Sequence, residues 1–148
     1  MKALHFKGIH IVSSLMLMIL TFSTARAITI FPFVFYKDNI ARSSALISGE
    51  ESIHIMQQLE CGLVGLFIFL SVWILYGFKF LILPVLFLFY ILYGLMYLVN
   101  LIRYQNTWIA YCKIPFENEA YRNANRSAYL GLRKPFAWIK YIRVQKTL

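Results

Sequence analysis

The chain has 148 residues, of which 60% are hydrophobic, 18% aromatic and only 14% charged. A soluble domain carries about 25% charged residues, and a core of this size cannot enclose so much apolar surface, so the composition argues against an ordinary soluble protein and for a bilayer. Fifteen Lys and Arg against six Asp and Glu leave a net charge of +9; in such a chain the excess reads as orientation and headgroup contact, and with no nucleic-acid motif beside it nucleic acid is not an expected partner.

In chain order, Lys2 and Lys7 precede an uncharged stretch from Gly8 to Ala25, and small residues flank Arg26. Residues 1–27 read either as a signal peptide or as an N-terminal membrane helix near the lower length limit for spanning. Residues 28–36 are β-branched and aromatic around Pro32, which predicts an edge strand or an extended membrane-surface segment rather than a helix or a central strand. Residues 37–48 are polar and predict a loop or short helix. Ser48 with Glu51 three residues on forms a capping box, so a helix is expected to start there and run into the uncharged residues 61–78.

Lys79 interrupts, and Phe80–Ile102 is uncharged again over 23 residues, with Pro84 near its start. At about 1.5 Å per residue that stretch covers roughly 35 Å, enough to cross a bilayer with some tilt. Transmembrane segments are therefore expected at about 61–78 and 80–102, turning near Gly77 to Lys79. Residues 103–148 form a basic tail. Pro115 suits the first position of a helix over Phe116 to Asn125. From Tyr129 on, Arg133, Lys134, Lys140 and Arg143 alternate with Phe136, Trp138 and Tyr141, a mixture suited to a membrane surface. The expected fold class is mainly α: a helical integral membrane protein with a transmembrane hairpin, either a leader or a first membrane helix over 1–27, and one membrane-embedded domain over 28–148 with short surface helices. Cys61 and Cys112 flank apolar stretches and read as small buried residues; two cysteines are too few for a structural zinc site.

The six acids are Asp38, then Glu50, Glu51 and Glu60, then Glu117 and Glu119, and His54 falls inside the first glutamate group. A single transmembrane pair between the two groups would return the second to the membrane face of the first. Glu50 and His54, at i and i+4, share a helix face, and oxygen and nitrogen ligands on facing helices can hold a divalent metal. The alternative is structural: glutamates at helix starts favour the positive end of the helix dipole, and Glu117 and Glu119 could pair with Arg122 or Arg126.

The stretch GEESIHIMQQLE at 49–60 is similar to the zincin helix motif H-E-x-x-H, and IPFENEAY at 114–121 is similar to the second glutamate-bearing helix of the gluzincin peptidases. With FPFVF at 31–35 and YLGLRKPFAWIKY at 129–141, the ordered set resembles a group of small bacterial zincin-like membrane proteins over roughly residues 28–142. The resemblance implies that His54 is a zinc ligand, that Glu51 is the general base activating water, and that Glu117 is a further ligand, with Glu119 as its hydrogen-bonding partner or substitute. Gln57 and Glu60 match motif positions without an assigned role. The motif's first histidine is Glu50 here. A site of Glu50, His54 and Glu117 is harder than the usual set with two histidines, so the resemblance implies weakly held zinc, manganese or iron instead, or lost catalysis.

Two functions follow as expectations. The first is a zincin-like membrane metallopeptidase or its catalytically degenerate relative, with FPFVF as an edge strand along which a peptide substrate lies. The second is a non-enzymatic membrane protein that anchors or binds a protein partner. The two apolar stretches make a multi-pass membrane protein the expectation for either one, and the resemblance implies a bacterial inner membrane. The basic residues after position 102 favour a cytoplasmic tail, whereas a leader or first helix with Lys2 and Lys7 inside predicts the opposite.

Overall fold

In a computed structural model the chain is described over residues 8–21, 25–77, 87–126 and 128–142, and it is mainly helical with a small three-stranded sheet. The elements are β1 (Ile9–Val12), α1 (Ser14–Thr21), β2 (Ala27–Ile30), β3 (Phe33–Tyr36), α2 (Asn39–Ser43), α3 (Ala45–Tyr76), α4 (Leu88–Tyr104), α5 (Thr107–Cys112), α6 (Pro115–Asn123), α7 (Tyr129–Leu132) and a closing 3-10 helix (Ala137–Ile142). They fall into two compact units, one of Met1–Met56 with Glu119–Ala137, the other of Gln57–Asn118 with Trp138–Leu148.

In the first unit the apolar stretch from Gly8 is not one helix. Its β-branched start, Ile9 to Val12, pairs parallel with β3, and only Ser14–Thr21 is helical. β2 pairs antiparallel with β3 on the other side, giving the order β1-β3-β2. The FPFVF segment, expected at a sheet edge, therefore supplies the central strand, and the expectation that a peptide lies along it is withdrawn. Pro32 does not break the ladder because it precedes β3, where its missing N–H has no ladder role; its carbonyl accepts the Ile9 N–H at 2.8 Å. The Phe31–Pro32 peptide is cis.

Asp38 opens α2 by accepting the Ala41 N–H at 2.7 Å, the usual task of an N-cap carboxylate. α3 then starts at Ala45, earlier than the Ser48–Glu51 capping box predicted: Ser44 Oγ accepts the Ile47 N–H, and the Ser48 N–H already bonds the Ser44 carbonyl. Ser44 wins because it follows directly on α2, where its hydroxyl is in place to take an orphan donor of the new helix. Val34, Tyr36, Ala41 and Ile55 form the core of this unit. Gly49 lets α3 approach the end of α6, since a Cβ there would meet the Ala124 carbonyl oxygen.

In the second unit Cys61, Phe89, Ile114, Phe116 and Trp138 form the core, with Tyr93, Met96 and Tyr97 packed around it. α4 ends at Gln105 in the left-handed region (φ 49°), and Asn106 caps α5 by accepting the Ile109 N–H at 2.9 Å. Asn100, buried in α4, donates to the Ala110 carbonyl at 3.2 Å and ties α4 to α5. Pro115 takes the first position of α6, as its fixed φ and absent N–H favour. The tail does not lie wholly at a surface. Trp138 is buried with its ring 4.6 Å from that of Phe116, because an indole contributes more apolar burial than any neighbour in that sequence.

Among the described residues α3 is the one helix long and apolar enough to cross a membrane: 32 residues, mean hydropathy 2.1 over its most apolar 18-residue window, with 22% of that window buried. Leu63, Phe67, Ile68, Trp73, Ile74 and Leu75 are all exposed along it. It stops at Gly77, whose positive φ of 69° ends the helix and whose N–H bonds the Trp73 carbonyl at 2.9 Å. α4 is apolar but shorter, at 17 residues. Lys79 and Pro84, expected in and just after the hairpin turn, lie outside the described residues, as do Lys2 and Lys7.

Candidate functional site

Glu50, Glu51 and His54 stand on α3 within the first unit, Glu51 buried and the other two half-buried. The Thr29 hydroxyl of β2 is within hydrogen-bond reach of both the Glu51 carboxylate and the Glu51 carbonyl oxygen. The general base that the motif would supply is thus engaged by a neighbouring strand. Beside it, the fully buried Tyr36 hydroxyl shares a 2.8 Å hydrogen bond with His10 Nδ1. Burial pushes this phenol up to about 12, helped by the negative charge of Glu51 and opposed by a hydrogen bond from Ser48 and by Arg42.

Glu119 belongs to the same unit and is wholly buried. Arg133 Nε lies 2.7 Å from its Oε1 and Arg133 Nη2 3.3 Å from its Oε2, a two-pronged ion pair with almost no solvent access to either side chain. The Tyr129 hydroxyl is the third donor to the carboxylate, reaching Oε1 at 2.8 Å, and Asn123 Nδ2 donates to the Glu119 carbonyl at 2.7 Å. A buried carboxylate requires such saturation. The sequence suggested Arg122 or Arg126 as partners for Glu117 and Glu119; Arg133 is a partner it did not name, and Arg126 contacts Asn123 Oδ1 at 3.4 Å.

Glu117, two residues earlier on α6, belongs to the second unit, where the Tyr93 hydroxyl donates to its Oε1 at 2.9 Å. Burial, with Glu117 as a further cause, pushes the Cys112 thiol up. Gln57, whose place in the motif suggested no role, is fully buried and donates through Nε2 to the Phe116 carbonyl at 3.1 Å. Glu60 is buried as well. Cys61 and Cys112 are both free thiols.

Among the described residues no group of three or more His, Cys, Asp and Glu side chains could hold a metal ion. Each of three of these acids has a protein donor: Thr29 for Glu51, Tyr93 for Glu117, and Arg133 with Tyr129 for Glu119. Thr29, Tyr93, Tyr129 and Arg133 are the partners that sequence reading missed. No signal in the sequence singled out Arg133, since Lys134 stands directly beside it in the tail motif.

No family model, no curated protein and no solved structure matches this chain. The functional reading rests on its own residues.

Proposed function

We propose that this chain is a membrane-anchored, non-hydrolytic relative of the zincin-like proteins it resembles, in which the motif glutamates serve the fold and the protein acts by binding a membrane or protein partner. The observation that carries this reading is the state of Glu119: three hydrogen bonds from Arg133 and Tyr129 occupy three of the roughly four acceptor sites of its carboxylate. Glu50 in place of the motif's first histidine and the Thr29 bond on Glu51 act in the same direction, since a general base needs its carboxylate turned to water.

Anchoring follows from α3. A soluble core helix would be mostly covered, whereas the apolar window of α3 is 22% buried and exposes Phe67, Ile74 and Leu75 at 72, 80 and 71%. Apolar surface on that scale is stable only against lipid or another protein. We further propose that α4, together with the uncharged residues leading into it, returns across the bilayer, making a multi-pass inner-membrane protein. Ile91, Leu95, Leu98, Val99 and Ile102 of α4 are exposed apolar residues that support this.

Metal content decides between the two readings. The purified chain in detergent, offered zinc, manganese or iron and then desalted, should carry far less than one equivalent, and His54→Ala should change nothing. One equivalent of metal, lost in His54→Ala, would overturn the non-hydrolytic reading and revive a metallopeptidase with Glu51 as base.

A further inference from the structure

The first unit holds a cavity of about 390 Å³ on the opposite side of α3 from the motif residues. With about 100° between successive helical residues, the α3 residues lining it, Ala45, Ser48, Gly49, Ser52 and Ile53, centre on one face. Glu50, Glu51 and His54 centre roughly 180° away. The cavity is therefore separate from the zincin-like motif. Its volume lies within the range of small-molecule sites, about 300–1,000 Å³.

The wall is chemically one-sided. Arg126 and His10 line it together with Ser48 and Ser52, and among the described residues no carboxylate does so. Two of these groups are held from behind by the buried Tyr36 hydroxyl, which is bonded to His10 Nδ1 and to Ser48. A hydrogen-bonded buried phenol fixes side-chain positions in advance, which lowers the ordering cost of binding. Ile53 and Leu130 supply an apolar part of the lining. Arg126 stands at the rim, exposed, where a guanidinium can receive a carboxylate through two parallel hydrogen bonds.

We infer that this cavity binds a small organic monocarboxylate, with the carboxylate at Arg126 and a short apolar body towards Ile53 and Leu130. Among the described residues Arg126 is the one Lys or Arg that lines the cavity, and a single guanidinium suits one negative charge. The apolar lining suits a carbon chain better than a fully hydrated inorganic anion.

Butyrate is the probe. With the full chain in amphipol, saturation-transfer NMR should show saturable butyrate binding that an equal concentration of inorganic phosphate does not displace. Arg126→Gln should weaken it about tenfold or more, as expected for a lost charge-assisted hydrogen bond, while Arg126→Lys should retain part of it and Lys140→Gln, outside the cavity, all of it. Arg126 is exposed, so these variants should fold with unchanged circular dichroism. Absence of saturable butyrate binding, binding indifferent to Arg126→Gln, or displacement by phosphate would each overturn the inference.

Discussion

Arg133 grips Glu119 through two nitrogens, 2.7 and 3.3 Å from the two carboxylate oxygens, and neither side chain is appreciably open to water. The pair spans fourteen positions of sequence and joins the end of the second glutamate group to the tail motif. Its energetics are asymmetric: burying both charges is roughly neutral against an apolar pair, but stranding one is costly.

Arg133→Met should therefore destabilise the chain by about 3–5 kcal/mol, because Glu119 is left charged and buried. The double substitution Arg133→Met with Glu119→Leu should recover most of that loss. Chemical unfolding in detergent, followed by circular dichroism, reads both. A double variant as unstable as the single one would mean that the pair is not the dominant interaction at this position.

Gly49→Ala tests the close approach of α3 to the end of α6. Alanine favours a helix by up to about 1 kcal/mol over glycine, so an uncrowded site would gain stability. Here the new methyl meets the Ala124 carbonyl, a backbone atom that cannot swing away. A net loss of about 1–3 kcal/mol is expected, measured as a lowered denaturation midpoint; a raised midpoint would show that the helices can part without penalty.

Tyr36 gives stability a definite alkaline dependence. In the folded chain its hydroxyl holds its proton to about 12, against an ordinary value of 10.0. The unfolded state thus releases a proton first, and stability present below about pH 10 is lost between 10 and 12. Tyr36→Phe should flatten that fall while lowering stability at neutral pH through loss of the His10 hydrogen bond. Denaturation midpoints at pH 9 and pH 11 for both proteins give the comparison, and parallel profiles would contradict the assignment.

Membrane insertion is tested at Ile68, exposed at 45% within the apolar part of α3. Wild-type chain should stay in the membrane pellet after alkaline carbonate extraction. Ile68→Arg, at a cost of about 2.5–3.5 kcal/mol for arginine near a bilayer centre, should shift part of the chain to the supernatant. Full extraction of the wild type would instead make α3 a protein-binding surface.

Long uncharged runs made α3 and α4 readable, and Pro115 marked the start of α6, because both signals act locally. Ile9–Val12 was not readable as a strand: four β-branched and polar residues inside an apolar stretch suit a helix equally well until a partner strand is known. The same holds for β3, whose central place depends on β1 arriving from the other side of α1. The acidic residues were easy to find and their partners were not. Glu119 reaches Arg133 only because the chain turns between α6 and α7, and no periodic pattern encodes that turn. The capping box at Ser48 and Glu51 was outcompeted by Ser44 for a reason visible only once α2 is known to end there.

The first unit is assembled from two stretches far apart in sequence, residues up to Met56 and again Glu119–Ala137. A ribosome therefore delivers its sheet early and its Arg133 last, with every apolar residue of α3 and α4 emerging between them. The half of the unit that carries Thr29 and Glu51 must wait, without Glu119 and its partners, while the apolar helices find their surroundings. Translation that halts before residue 119 would leave a product with its lipid-seeking helices present and this unit unclosed, the kind of intermediate that quality-control proteases remove.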